Sequence, residues 1–432
     1  MDLSIQKIQP MLEGAAIDIP PVAEARQFFP DDEMSDIQPA MEQGIRKIST
    51  LLPGKKIAIT VGSRGICRIG ELISCLIGEL KKAGAQPFIV PAMGSHGGAT
   101  MEGQIALLAG YGITEETMGV PIRGSMEAVH IGKTDAGVPV FCQKDALEAD
   151  GVIVMNKVKP HADFKSDIES GLCKMMVIGL GKHKGATELH RRGFARMGEL
   201  LEPCARLFLE QVPVILGIGI LENAYDRLMD LEFVLPGELI EKEKKMLIRA
   251  KGNIARLHMP VIDVLLIDQI GKDISGEGMD PNVTGRPGSG LNEGFDAPDI
   301  HKIVVFGMTE KTHGNGVGIG MADVSTVELA EQIDLTQVYT NAVTSTLIGP
   351  ARLPLLAATQ RQAVDLALRT CNAADPEFPR VVWIPNTLNL DKIYVSKGVA
   401  LDVSERTDIQ VDDVFRPVSW TREGRLLLKG RE

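Results

Sequence analysis

Short apolar runs that end in glycine or proline alternate along this chain with stretches of helical periodicity. The run "KKIAITVGSRG" (55–65) predicts a buried strand entering a glycine turn, and the apolar spacing over 68–85 predicts the helix that follows. The same alternation recurs at 150–161 and 212–223. This order is typical of a mostly parallel sheet with helices on both faces, so the predicted fold class is α/β.

The length of 432 residues predicts more than one domain. A strongly charged helix is predicted over 237–257, and we place the domain boundary just after it, near Met259. The first α/β domain is then 1–258, joined by the final segment 398–432, and the second is 259–397. The expected active site lies in a cleft between the two. The second domain has predicted strands at 262–270, 301–307 and 380–385, and helices around 325–347 and 356–371.

Composition and charge narrow the class of protein. Hydrophobic residues make up 44% and charged residues 24%, as in soluble globular proteins, and no run approaches the length of a transmembrane helix. The start of the chain does not resemble a signal peptide, and the six cysteines form no CxxC pair, so a reduced, cytoplasmic setting is expected. A net charge of −11 and 4% aromatic residues argue against a nucleic-acid partner and for a small ligand.

Four polar residues follow predicted strands, where ligands of open α/β sheets usually bind: Arg64, His96, His161 and Lys272. His96 stands in the glycine-rich stretch "MGSHGG", which lets the backbone approach a ligand closely. His96 and His161 therefore form a candidate acid/base pair. Read singly, each histidine is more often a residue that hydrogen-bonds its own loop.

The segment 154–190 adds a candidate nucleophile. Lys174 lies at a predicted helix start that Ser170 would cap, so its amine could be desolvated and reactive or could anchor a cofactor. The alternative is a lysine that extends from a helix end to solvent. His190 lies on the next predicted helix and could bind a metal, but one ligand does not make a site.

Three further features carry weaker signals. His183 is predicted to be exposed between Lys182 and Lys184. The glycine-rich loop 271–294 contains little to build a core, and loops of that length are often functional. His313, in "KTHGNGVGIG", either approaches a ligand or belongs to a tight loop, because the glycines there do not fit the dinucleotide-binding register.

The chain resembles a known family in four stretches. In chain order they are "TVGSRG", "MGSHGG", "VKPH" and "GLCKMMVIGLGKHKGATELH". Over most of its length it resembles the nickel-pincer-dependent lactate racemase family. The resemblance implies a racemase or epimerase of a 2-hydroxy acid, an isomerase with a covalently bound nickel-pincer nucleotide. It also implies partner enzymes that make and insert this cofactor, with no nucleic acid and no membrane as partners.

The resemblance also implies a role for each matching residue. Lys174 would hold the cofactor covalently, a pyridinium mononucleotide with two thio-acid groups, and His190 would be the protein's ligand to nickel. His96 and His161 would act as acid and base on opposite faces of the substrate while hydride leaves and returns at the alpha carbon. Arg64 would bind the substrate carboxylate, with Arg68 as the competing candidate.

The second domain departs from the family pattern. In place of its tyrosine-glutamine pair and substrate-facing lysine stands "DQIGKDISGEGMDPNVTGR", where Lys272, Asp273 or Arg286 could contact the substrate. Such a polar, glycine-rich wall is compatible with a hydroxy acid larger than lactate, such as a sugar acid.

Two other classes of protein remain open from the sequence. One is a zinc hydrolase in which His96, His161 and His190 surround one ion. The other is a non-catalytic anion- or cofactor-binding protein that grips phosphate with the lysine-rich segment.

Overall fold

The computed structural model describes residues 19–63, 65–372, 375 and 377–427. Backbone contacts divide the chain into two compact units. The first unit spans Pro30–Ile254, and the second joins the residues up to Phe29 to those from Ala255 onward. The break therefore falls close to the predicted boundary near Met259.

Extended segments account for both sheets and two small hairpins. In chain order the strands are β1 (Val22–Gln27), β2 (Lys56–Val61), β3 (Gln86–Pro91), β4 (Ala128–Lys133), β5 (Pro139–Gln143), β6 (Gly151–Lys157), β7 (Val214–Glu222), β8 (Leu228–Val234), β9 (Val261–Ile270), β10 (Asp299–Met308), β11 (Val324–Thr326), β12 (Leu355–Ala357), β13 (Val381–Ile384), β14 (Lys392–Ser396), β15 (Ile409–Val411), β16 (Ser419–Trp420) and β17 (Leu426–Leu427).

Several of the helices, among them those at residues 69–82, 239–252 and 360–370, fall where apolar periodicity predicts them. In chain order they are α1 (Gln38–Arg46), α2 (Ile69–Lys82), α3 (Met101–Gly110), α4 (Glu115–Met118), α5 (Lys144–Leu147), α6 (Leu172–Lys174), α7 (Lys182–His190), α8 (Met197–Gln211), α9 (Leu239–Gly252), α10 (Pro281–Thr284), α11 (Val327–Glu331), α12 (Leu335–Ser345), α13 (Gln360–Thr370) and α14 (Lys397–Asp402), with a π-helical turn at Met175–Gly179.

The first unit is built on a five-stranded sheet in the order β3-β2-β6-β7-β8. The first four strands are parallel, and β8 pairs antiparallel with β7. The strand interiors are buried, because helices cover the apolar side chains of this sheet; Ile57, Ile59, Ile153 and Ile218 are among the core residues. Parallel strands place their carboxyl ends at one edge, so the loops after β2, β3, β6 and β7 share that edge.

The second unit carries an eight-stranded sheet in the order β12-β11-β10-β9-β13-β14-β1-β15. The strands from β12 to β13 are parallel and the last three pairings are antiparallel. These two sheets confirm the predicted fold class, an α/β protein with mostly parallel sheets.

The two ends of the chain belong to the second unit, whereas both were predicted to belong to the first domain. The final segment was expected to return to the first domain, but β15 pairs with β1 in the sheet of the second unit, with Ala25 opposite Val411. The strand β1 itself pairs with β14, so residues 22–27 also belong to that sheet. The strand pairing decides this grouping, and no local pattern in the sequence indicates which sheet an edge strand joins.

Two short parallel strands and one buried loop were not predicted. The strands β11 and β12 precede helices where the sequence indicated helix alone. The loop 271–294 was expected to lack core residues, yet Met279, Val283 and Thr284 are buried, and Asp280 caps α10 by accepting a hydrogen bond from the Asn282 N–H. Among the described residues, no helix has both the length and the apolar character needed to cross a membrane.

Candidate active site

The carboxyl edge of the first unit's sheet collects polar side chains from separate strands. Ser63 follows β2, His96 follows β3, His161 follows β6, and Glu222 ends β7. Glu222 is buried, pairs with Lys157 at the end of β6, and accepts a hydrogen bond from the backbone N–H of Cys67 at 2.8 Å. The predicted convergence of His96 and His161 at one sheet edge is therefore present. Arg64, predicted to bind the substrate carboxylate, lies outside the described residues.

The loop that carries His96 is a tight turn fixed by glycine. Gly97 has a φ of +65°, and a Cβ atom there would lie 2.6 Å from the backbone of Gly103, so a side chain does not fit. Ser63 Oγ contacts His96 Nδ1, which orients the imidazole ring. The amide of Gln104 donates to the carbonyls of Gly94 at 3.0 Å and His96 at 3.2 Å.

Beneath this loop lies a fully buried lysine that the sequence analysis grouped with exposed neighbours. His183 and Lys184 are exposed, as predicted for His183, but the Lys182 side chain is inaccessible to solvent. Lys182 donates hydrogen bonds to the Pro91 carbonyl at 2.6 Å and to Gln104 Oε1 at 2.7 Å. Burial lowers the pKa of its amine to about 8. Lys182 thus supports, through Gln104, the backbone that positions His96.

Replacing Lys182 with methionine should loosen the His96 loop. The carbonyl of Pro91 and the amide oxygen of Gln104 would each lose a donor in a buried place, which we expect to lower the free energy of unfolding by about 1–3 kcal/mol. Urea denaturation measures the loss, and Lys184→Met, next but one along the chain on the exposed surface, is the matched control. Equal stability of the two variants would contradict the supporting role of Lys182.

His161 is held by its own loop. Its backbone N–H donates to Glu169 Oε2 at 2.6 Å, and its ring Nδ1 accepts from the backbone N–H of Asp163 at 2.9 Å. Glu169 is buried and also pairs with Lys165 and Lys251, at 3.5 and 2.6 Å. The contact with the Asp163 N–H fixes Nδ1 as an acceptor, so the proton of a neutral imidazole lies on Nε2.

Lys174 and His161 are in direct contact, with 2.5 Å between Lys174 Nζ and His161 Nε2. If Nε2 carries the proton, it can donate to Nζ only when the amine has a lone pair. An amine with a free lone pair is the nucleophilic form of a lysine. The predicted reactive lysine and one predicted acid/base histidine thus meet at one point of the site.

The short helix α6 presents Lys174, and its start is capped by a residue that the sequence analysis missed. Ser170 was expected to cap this helix, but the residue at the cap position is Gly171, which makes no side-chain cap. Instead Glu243, fully buried on α9, accepts a hydrogen bond from the Cys173 N–H at 2.8 Å. A Cβ atom on Gly171 would lie 2.2 Å from Glu243 Oε1, so only glycine permits this approach.

Burial has opposite effects on two groups near Lys174. It raises the pKa of the Glu243 carboxyl to about 7, although hydrogen bonds from the α6 backbone oppose the rise. It lowers the pKa of His190 to about 4, and the nearby Lys174 amine acts in the same direction. His190 is therefore neutral at physiological pH, the form in which an imidazole binds a metal ion.

His190 ends the helix that follows the π-helical turn after Lys174. Its ring stacks on Phe194, with ring centroids 5.6 Å apart, and Phe194 lies 6.1 Å from the His161 ring. The π-helical turn adds one residue per turn, which shifts the direction of the side chains that come after it, and such turns are frequent at functional sites. Phe194 thus lies next to both the predicted metal ligand and the predicted acid/base histidine.

The alternative function, a zinc hydrolase, requires His96, His161 and His190 to meet at one ion. His96 Nδ1 contacts Ser63, and His161 Nε2 contacts Lys174. Among the described residues, the three imidazoles of His96, His161 and His190 are not a group whose nitrogens could hold one ion.

Several other candidates have structural partners. Arg68, the alternative to Arg64, makes two hydrogen bonds to Glu71, at 2.6 and 2.7 Å. In the second unit, Lys272 donates to the Gly276 carbonyl at 2.6 Å and to Asn341 at 2.7 Å. Arg286 pairs with Asp323 at 2.6 Å and also donates to backbone carbonyls of residues 300, 301 and 321. Arg286 is thus a structural residue of its loop.

Two candidates of the second unit remain beside these. Asp273 accepts a hydrogen bond from the Thr309 hydroxyl at 2.5 Å. His313 is exposed, with a φ of +50°, and its carbonyl accepts from the Gln337 amide at 2.7 Å. The positive φ of His313 and the hydrogen bond to its carbonyl are typical of a tight loop, which is one of the two interpretations that the sequence left open for this residue.

Comparison with known proteins assigns the part of the chain that carries this site. Residues 23–199 match the family model of the lactate racemase N-terminal domain. This part of the chain is similar to the N-terminal domain of lactate racemases. The matched residues include His96, His161, Lys174 and His190, and they cover less than half of the chain.

Searches of proteins and structures add little to this match. Among curated proteins, none matches. Among solved structures, the lactate racemase apoprotein from Thermoanaerobacterium thermosaccharolyticum aligns with 90% of this chain and 96% of its own, at 15% identity and a TM-score of 0.45.

Proposed function

We propose that this protein is a racemase or epimerase of a 2-hydroxy acid that works with a nickel-pincer nucleotide bound covalently to Lys174. The observation that supports it best is the contact between Lys174 Nζ and His161 Nε2 at 2.5 Å, inside the region that matches the lactate racemase N-terminal domain. A tethering amine and an acid/base imidazole are thereby next to each other.

The residues of the site suit this cofactor. Lys174 would be the tether, since a neutral amine can condense with the carbon of a thio-acid group to form a thioamide, with loss of water. His190 would be the protein's nickel ligand, since burial keeps its imidazole neutral and imidazole suits Ni(II). When bound, the cofactor would accept a hydride from the substrate and return it.

The two histidines supply the proton chemistry. His161 has its Nδ1 occupied by the Asp163 N–H, and His96 has its Nδ1 against Ser63, so proton transfer at each ring would use Nε2. A racemase needs an acid/base group for either enantiomer of the hydroxyl, and two histidines from separate strand ends provide this pair. Glu169, Gln104 and Lys182 hold the loops that carry them.

The substrate is proposed as a 2-hydroxy acid, with a sugar acid among the candidates. Its carboxylate would bind Arg64, as the resemblance implies, because a planar guanidinium can donate two parallel hydrogen bonds. Lys272 and Asp273 remain the candidates from the second domain, although Lys272 bonds Gly276 and Asn341 and Asp273 accepts a hydrogen bond from Thr309.

The test uses protein co-expressed with a pincer-cofactor pathway, with loading checked by intact mass and nickel content. Single enantiomers of lactate and of longer 2-hydroxy acids, deuterated at the alpha carbon, are incubated in ordinary water and analysed by chiral chromatography and mass spectrometry. We expect one acid to racemise or epimerise with its deuterium retained, because the hydrogen leaves and returns as hydride. Loaded protein that interconverts none of these acids, or that exchanges the deuterium with solvent, would contradict the proposal.

A further inference from the structure

A second cluster of ligating side chains lies in the second unit. Asp263 is near the start of β9, and His301 is near the start of β10. The flanking register pairs, Ile262 with Ile300 and Val264 with Lys302, place the two residues side by side on adjacent strands. Cys371 follows α13 and brings its thiol to the same place.

The spacing of the three ligand atoms suits a tetrahedral metal ion. Asp263 Oδ1 lies 3.4 Å from His301 Nδ1, which lies 3.8 Å from Cys371 Sγ, and all three atoms are within 4.8 Å of one another. Zinc takes oxygen and nitrogen ligands at about 2.1 Å and thiolate at about 2.3 Å, so neighbouring ligands of a tetrahedral site are about 3.4–3.6 Å apart.

The buried carboxylate has one oxygen to spare. Asp263 is inaccessible to solvent, and its Oδ2 accepts the Arg380 backbone N–H at 2.8 Å, with the Arg380 guanidinium 4.0 Å away. Its Oδ1, on the side of His301, accepts no hydrogen bond from the described part of the chain. A buried acceptor without a donor is uncommon in folded proteins, and a bound cation would satisfy it.

The surroundings of the other two ligands agree with metal binding. His301 Nε2 lies 3.5 Å from a carboxylate oxygen of Asp299, and a proton on Nε2 would leave the lone pair of Nδ1 to bind the metal. The guanidinium of Arg380 also pairs with Asp402, at 2.6 Å, so the Asp402 carboxylate offsets the positive charge of Arg380 near Asp263. Cys371 is buried and would release its thiol proton on binding.

We propose that Asp263, His301 and Cys371 bind a zinc ion, which ties the starts of β9 and β10 to the end of α13. An oxygen, a nitrogen and a sulfur ligand together favour a borderline-soft ion such as Zn²⁺ over Mg²⁺ or Ca²⁺. The fourth position is left for water. The competing explanation is an ion pair between a protonated His301 and Asp263, which needs neither the thiol nor a metal.

The experiment uses the full chain expressed without the cofactor pathway and stripped with a chelator, so it does not depend on the proposed isomerase activity. Cobalt(II), a spectroscopic substitute for zinc, is titrated first, and zinc then competes it out. We expect one equivalent to bind with a thiolate-to-cobalt absorption band. Zinc affinity should fall about 100-fold or more in His301→Gln and Cys371→Ser, and about tenfold in Asp299→Asn.

Two variants in the first unit serve as controls. Cys204→Ser replaces another buried thiol, and His190→Ala removes the proposed nickel ligand; both should bind zinc as the wild type does. Unchanged zinc affinity in His301→Gln and Cys371→Ser, or the absence of a thiolate band, would overturn the proposal. If Cys371→Ser does not fold, His301→Gln decides the matter, because its side chain is partly exposed.

Discussion

Replacing Lys174 with arginine is expected to abolish the covalent adduct and to lower racemase activity by about a thousandfold or more. Arginine keeps a positive charge beside His161 and His190 but offers no nucleophilic amine at neutral pH. Intact mass after co-expression with the cofactor pathway measures the adduct, and the activity assay follows the same preparation. The result separates a covalent tether from a lysine that only contributes charge.

The matched control is Lys184→Arg, ten residues further along on an exposed helical turn. It should retain the adduct and the activity, since its side chain lies outside the cluster of His161, Lys174 and His190. An adduct that persists in Lys174→Arg would move the tether to another lysine and would contradict the proposed role. A lost adduct with undiminished activity would instead remove the cofactor from the reaction.

Replacing Glu243 with glutamine is expected to change how stability depends on pH. Burial raises the pKa of this carboxyl from 4.5 to about 7 in the folded protein. Between these values the folded protein keeps a proton that the unfolded chain has released, so the free energy of unfolding falls as the pH rises from 4.5 through 7. The loss amounts to about 3 kcal/mol above pH 7. Glutamine has no proton to lose, and its amide oxygen can still accept from the Cys173 N–H.

Urea denaturation at several pH values from 4.5 to 8 measures this effect. The wild type should lose stability across the window, whereas the contribution of this site should disappear in Glu243→Gln, which becomes the more stable protein at pH 8. Glu241→Gln, an exposed glutamate on the same helix, is the control and should follow the wild type. Parallel curves for Glu243→Gln and the wild type would show that Glu243 is ionised in the folded state.

Of the two residues in these predictions, Lys174 can be recognised as a candidate from the sequence and Glu243 cannot. Lys174 stands out because it follows a strand and a glycine turn and lies in a motif that resembles a family. Glu243 is one of many charges on a helix, "GELIEKEKKMLIRAKG", and no spacing distinguishes it from the exposed Glu241. Only packing decides which of the two is buried against the start of α6.

The same contrast applies to the supporting residues of the site. Lys182 lies in "GKHKG" between residues that suggest a solvated turn, but its φ of +54° is associated with a side chain that is fully buried. Glu169 is one of several charges in "DFKSDIESG". The partners of Lys182 are distant in sequence, and Glu169 also pairs with Lys251 on another helix, so no local pattern could reveal these contacts.

The sequence by itself determined the α/β class, the positions of the main parallel strands and of several helices, and the candidates His96, His161, Lys174 and His190. It did so because apolar periodicity and strand-end positions are local properties of the chain. The tertiary structure decided which sheet the chain ends join, that Glu243 rather than Ser170 caps the helix of Lys174, and that Asp263, His301 and Cys371 meet. Those outcomes depend on strand pairing and burial between segments far apart in the chain, and the free energies that select them are not encoded in any short stretch.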